Sequence, residues 1–116
     1  MPLQAHLDQE ALRELQGVLG DDFPVLVRTF LADSDARMSA LRVAAVTGDA
    51  RALRETAHSF KGSSLNIGAR HLAALCYDVE QCARADDLAA AMALLTEVDA
   101  ELKLVATLLA VDPRSH

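Results

Sequence analysis

The sequence is poor in aromatic residues, glycine and proline, and it has no long apolar run. Trp is absent and aromatic residues make up 3% of the 116 residues, although hydrophobic residues make up 52%. A core built mainly from Leu, Ala and Val suits close-packed helices better than a sheet. Because no uninterrupted apolar stretch reaches about 18 residues, we expect no segment that spans a membrane.

Basic residues are in the minority, with 11 Lys and Arg against 17 Asp and Glu and a net charge of −6. This balance argues against nucleic acid or an anionic membrane surface as the main partner. The first residues also lack the basic segment and apolar run of a secretory signal. These features favour a cytoplasmic protein.

The chain has two cysteines, Cys76 and Cys82. On one predicted helix they lie roughly 9 Å apart along the axis and on different faces, which is beyond the reach of a disulfide. We therefore expect reduced thiols, as is usual in the cytoplasm. Two cysteines and four scattered histidines do not have the spacing of a zinc site, so no bound metal is expected.

Apolar residues recur with helical spacing through most of the chain. The pattern predicts one short helix followed by four long amphipathic helices, at about 7–19, 22–47, 49–67, 69–85 and from 88 onward. Asp8, Asp22 and Asp49 are predicted to cap the first three of these helices. Turns of two or three residues between the long helices favour an antiparallel up-down four-helix bundle, with the short N-terminal helix over one end. We expect one domain over residues 1–116, with a frayed tail after Pro113.

The third predicted helix, about 49–67, carries the candidate site. Its core-facing stripe consists of Leu53, Ala57, Phe60, Ser64 and Ile67. His58 lies about 140° from the centre of that stripe, so it is predicted to point to solvent. Lys61, Gly62 and Leu65 follow at i+3, i+4 and i+7 and therefore line up beside it.

The run from His58 to Ser64 (HSFKGSS), followed by NIG ending at Gly68, resembles the signature of histidine-containing phosphotransfer (HPt) domains. That signature has a histidine, any residue, a large apolar residue, Lys, Gly and two small residues, with a second Gly at +10. The family also has an acidic or amide residue at +22, where this chain has Glu80. One departure is Phe60, since Leu is commoner at that position.

The resemblance implies a four-helix bundle over the whole chain and a role as a phosphoryl shuttle. His58 would accept a phosphoryl group from the receiver-domain aspartate of a hybrid sensor kinase and pass it to the receiver of a response regulator. The Mg²⁺ and the aspartate chemistry would belong to the receiver. We therefore expect a monomeric carrier that binds no cofactor itself, rather than an enzyme.

Chemistry assigns roles to the neighbours of His58. We predict that the Glu80 carboxylate accepts the other ring N–H and so fixes the tautomer and orientation of the ring. Lys61 can neutralise charge on the transferring phosphoryl oxygens. Gly62 allows a partner backbone to approach closely, which would explain a helical glycine that costs about 1 kcal/mol relative to alanine.

Further residues are predicted to contact the partner. Arg51 and Arg54 share the flank of His58, and Arg84 is expected nearby on the next helix. Together they suggest a local basic island that would attract the acidic active site of a receiver. The exposed Leu65 suits a docking patch. The remaining histidines, His6, His71 and His116, are expected on the surface without a role.

Other function classes stay open. A hydrolase or phosphatase using His58 as nucleophile would need an activating base, an oxyanion site or a metal cluster, and the sequence offers no such set. A docking module that binds receiver or kinase domains without accepting phosphate would normally show a changed His58 or Lys61. The phosphoacceptor module of chemotaxis kinases resembles this fold too, but ATP-binding and dimerisation domains follow it, so a free-standing carrier is the expectation.

Overall fold

The computed structural model describes residues 2–116. Six α-helices follow one another: α1 (Leu3–His6), α2 (Gln9–Leu19), α3 (Phe23–Thr47), α4 (Ala50–Asn66), α5 (Arg70–Arg84) and α6 (Leu88–Val111). Two short 3₁₀ turns, Gly20–Asp22 and Pro113–Ser115, complete the chain, and no strand occurs in residues 2–116. No helix among these residues is long and apolar enough to cross a membrane.

The four long helices form a closed bundle. Helix α3 packs against α4 and α6, and α5 packs against the same two helices, so each helix has two neighbours. Short turns reverse the chain between consecutive helices, and the longest dimension is 41 Å, close to the length of a 24-residue helix. The predicted antiparallel four-helix bundle is confirmed.

Aspartates cap three of the helices, and two of these caps, Asp8 and Asp49, are predicted from the sequence. Asp8 accepts hydrogen bonds from the backbone N–H groups of Glu10 and Ala11, and Asp49 and Asp87 each accept one from the third residue after them. These bonds satisfy donors that have no partner within the helix.

Asp22 does not cap α3 in this way. It lies in a 3₁₀ turn with φ −81° and ψ −10°, and its side chain makes no capping hydrogen bond. A capping side chain needs an extended backbone at its own position, so the predicted Asp22 cap is wrong.

Both ends of the described residues hold a short helical turn that the sequence did not predict. An extra helical turn, α1, precedes the predicted first helix. The expected fraying after Pro113 is also wrong, because Arg114 forms an ion pair with Asp112 at 2.6 Å and a hydrogen bond to Gln9 on α2. Ser115 is buried as a result of this docking.

Gly68 joins the α4–α5 turn to the start of α2. Its φ of +78° lies in the left-handed region, and a Cβ there would meet Asp8 atoms at 3.3 Å. Its carbonyl accepts the backbone N–H of Asp8 at 2.9 Å. This glycine therefore ends the helix of His58 and allows the N-terminal segment to pack closely against that end of the bundle.

Candidate functional site

Helix α4 presents two different faces. Its core face is fully buried and consists of Leu53, Ala57, Phe60, Ser64 and, just after the helix, Ile67. His58 lies on the opposite flank, where 65% of its side chain is exposed. Since its neighbours on the core face are packed in the bundle, the imidazole is presented to solvent from a helix that is anchored on its other side.

Glu80 on α5 holds one edge of the His58 ring. Its Oε2 lies 3.0 Å from His58 Nδ1, so the predicted contact is present. Because a carboxylate only accepts hydrogen bonds, this contact places the proton of the neutral ring on Nδ1. The lone pair then resides on Nε2, which makes no hydrogen bond to any residue that the structure describes.

The carboxylate of Glu80 is 3% exposed and has two further donors. Lys61 Nζ lies 3.2 Å from Oε1, and Arg84 Nη2 lies 3.2 Å from Oε2. Burial by itself opposes ionisation of Glu80, but the hydrogen bonds from Lys61, Arg84 and His58 outweigh it. The pKa of Glu80 is therefore lower than its ordinary value, and the group is an anion at neutral pH.

Lys61 is more restrained than the sequence indicates. Besides its ion pair with Glu80, its Nζ lies 5.2 Å from the centre of the Tyr77 ring, within the range of a cation–π contact. Its side chain is only 24% exposed. Helical spacing in the sequence places Lys61 beside His58 but shows neither of these contacts.

Gly62 and Leu65 face solvent on the same flank of α4. No atom outside the helix backbone would lie within 4 Å of a Cβ at Gly62, and its φ is not left-handed. Neither local conformation nor packing within the chain therefore requires glycine there. Its predicted role in partner approach, like the docking role of Leu65, stays a prediction.

The predicted basic island is less positive than the sequence suggests. Arg51 donates to Glu55 at 3.0 Å, and Arg84 contacts Glu80. Arg54, one turn before His58, makes no ion pair with another of the described residues. The structure thus brings Arg54 and Arg84 near the site, but the charges of Arg51 and Arg84 are each paired with a carboxylate.

His6 is not the surface residue that the sequence suggested. Its Nδ1 lies 2.6 Å from Glu101 Oε2, and its side chain is only 15% exposed. Its ring meets that of His71 edge-on at 5.9 Å. The pairing joins α1 to α6, and its partners lie 95 positions apart, so no local sequence pattern reports it.

Signals for the missed contacts are uneven. Arg84 lies four residues after Glu80 on one helix, so that pair could have been predicted from spacing. Tyr77 lies three residues before Glu80 on the same face, which is a weaker signal. In residues 2–116 no group of three or more His, Cys, Asp or Glu side chains is arranged to hold a metal ion.

Comparisons with known proteins identify the family of the chain. The family model of the Hpt domain matches residues 25–108. The chain is 47% identical to histidine-containing phosphotransfer protein B (HptB) from Pseudomonas aeruginosa PAO1, whose crystal structure superposes with a TM-score of 0.87. That match covers 89% of this chain and 90% of the other. A comparison with curated protein sequences finds no significant match.

Proposed function

The chain belongs to the Hpt domain family, and we therefore propose that His58 carries phosphoryl groups between receiver domains. The donor would be the phosphorylated aspartate of a hybrid sensor kinase, and the acceptor would be the receiver of a response regulator. We propose a carrier with no ATP-binding or hydrolytic site of its own.

One observation supports this function above the others. The imidazole of His58 is largely exposed, and its Nδ1 is held by a buried carboxylate at 3.0 Å. A phosphoryl acceptor needs an accessible nitrogen with a free lone pair and a fixed orientation. The contact with Glu80 holds the ring in one orientation and leaves the lone pair of Nε2 free.

In the proposed step the lone pair on His58 Nε2 attacks the phosphorus of the receiver's aspartyl phosphate. The N–P bond forms as the P–O bond breaks, and the aspartate leaves as a carboxylate. The ring keeps its Nδ1 proton, so positive charge develops on the imidazole, and the Glu80 carboxylate stabilises that charge. Because no proton has to leave the ring, the same atoms serve the reverse transfer to a second receiver.

Lys61 contributes the charge that this chain brings to the phosphoryl oxygens. Its ammonium lies 3.2 Å from Glu80 Oε1. Lys61 is one helical turn from His58, so it can attract the anionic phosphoryl group as the receiver docks. The Mg²⁺ used in this chemistry is expected at the receiver. Gly62, Leu65 and Arg54 lie on the same flank and would meet the receiver surface.

The test is transfer of labelled phosphate from a panel of phosphorylated receiver domains. Wild-type protein should acquire an acid-labile label, and His58→Gln should acquire none. His116→Gln, a change at another exposed histidine, should take up label as wild type does. Undiminished labelling of His58→Gln would overturn the proposal, and receiver binding without label would indicate the alternative docking module.

A further inference from the structure

Tyr77 has no evident place in the core. It lies on α5 three residues before Glu80, and its side chain remains 47% exposed. Its ring centre lies 5.2 Å from the ammonium of Lys61 on the neighbouring helix α4. A surface tyrosine that does not fill the bundle therefore contacts the cation of the proposed transfer site.

Lys61 is held between two groups of different character. Glu80 Oε1 contacts its ammonium at 3.2 Å, and the face of the Tyr77 ring supplies negative electrostatic potential to the same charge. A lysine on a helix surface normally samples many rotamers, and fixing it carries an entropic cost. Here 24% exposure indicates that the long side chain is folded against the protein.

We propose that Tyr77 is a positioning residue for phosphoryl transfer, because its ring keeps the Lys61 ammonium beside Glu80 and His58. This inference rests on the proposed function of His58. With the ring present, the cation is in place before the receiver docks. Without it, part of the binding free energy of the receiver is used to order Lys61.

The expected effect is modest and measurable. Cation–π contacts at exposed sites correspond to about a two- to fivefold change in a rate or an equilibrium constant. Tyr77→Leu keeps an apolar side chain but has no ring, so it should slow labelling of His58 by about two- to fivefold. Tyr77→Phe keeps the ring face and should transfer at nearly the wild-type rate.

A double-mutant cycle separates positioning from direct contact with the receiver. In a Lys61→Met background the ring has no cation to hold, so Tyr77→Leu should cause no further loss. Leu65→Ala is the matched control. Leu65 is an exposed apolar side chain on the same flank, so any effect of this change on the transfer rate should be the same with and without Lys61. If Tyr77→Leu slows transfer equally with and without Lys61, Tyr77 only contacts the receiver and the inference is wrong.

A second measurement does not depend on phosphate. In wild-type protein and in Tyr77→Phe, NMR should show the Lys61 ε-methylene protons shifted upfield by the aromatic ring, and Tyr77→Leu should abolish that shift. Failure of the proposed function appears differently, since wild-type protein would then take label from no receiver. An unshifted Lys61 in wild type would contradict the positioning role, whatever the transfer rates.

Discussion

Replacing Gly62 with alanine should stabilise the protein and slow phosphoryl transfer at the same time. Gly62 lies inside α4 with ordinary helical φ, and the space that an alanine methyl group would fill is open. Alanine therefore gains about 0.5–1 kcal/mol of helix stability without a clash. With an unfolding entropy of about 2.1 cal/mol/K per residue, that gain raises Tm by about 2–4 °C.

The same methyl group faces the proposed receiver surface. If the receiver backbone approaches Gly62 to van der Waals contact, the methyl group displaces it by about 1 Å, and such a displacement can cost about 100-fold in rate. We expect Gly62→Ala to accept label from receivers at least about tenfold more slowly. Thermal unfolding and single-turnover transfer on the same preparation measure both effects.

Gly17→Ala is the matched control. Gly17 also lies in a helix, is exposed, and has no atom within 4 Å of an added Cβ. Gly17→Ala should stabilise the protein by a similar amount and leave the rate of phosphoryl transfer unchanged. Wild-type transfer by Gly62→Ala would refute the close-approach role of Gly62, and a lower Tm would refute the account of its packing.

Three further predictions concern buried polar groups. Ser34 and Ser64 are both fully buried, but Ser34 Oγ has no partner among the described residues whereas Ser64 Oγ donates to a backbone carbonyl at 2.8 Å. Ser34→Ala should therefore be more stable than Ser64→Ala by about 1 kcal/mol, and equal free energies of unfolding in urea would contradict this. The lowered pKa of Glu80 gives stability that is present above its ordinary value of 4.5 and lost as the pH falls through the lower folded value. Glu80→Gln should thus make Tm fall less steeply as the pH drops below about 4.5. If Tm falls as steeply as in wild type, the lowered pKa of Glu80 does not contribute to stability. His6→Ala leaves the buried Glu101 carboxylate without its partner and should cost about 1–3 kcal/mol. Adding Glu101→Gln to His6→Ala should recover part of that loss. If no stability is recovered, the unpaired Glu101 carboxylate is not the cause of the loss.

The bundle could be predicted because its signals are local. Apolar spacing identifies each long helix, and Asp8 and Asp49 mark two helix starts through bonds to residues three positions away. The prediction for Asp22 failed because a 3₁₀ turn changed the backbone at that residue, which composition does not report. The His6 contact with Glu101 depends on where two distant segments meet, and no periodicity encodes it.

The site was predictable to the extent that helix geometry determines it. The angular position of His58 on its helix predicts its exposure. Glu80 lies about 80° from the centre of the core-facing stripe of its own helix, which predicts a carboxylate within reach of the neighbouring helix. A helix plot gives the direction of Cβ but not the rotamer of a long side chain. The folded position of Lys61, between Glu80 and Tyr77, therefore became visible only in the structure.

That position changes how variants of Lys61 have to be interpreted. Lys61, Arg84 and His58 all donate to one buried carboxylate, so removing any donor also weakens the ionisation of Glu80. A protonated Glu80 would no longer favour the Nδ1–H tautomer of His58 as strongly. A slower Lys61→Met variant could thus have lost phosphate neutralisation, imidazole orientation or both. The two causes separate by pH. A defect that acts through Glu80 should grow as the pH falls toward the ordinary pKa of 4.5 for that carboxyl group. The loss of a cation at the phosphoryl oxygens should persist at neutral pH, where the carboxylate is ionised, and single-turnover transfer measured over this pH range distinguishes the two.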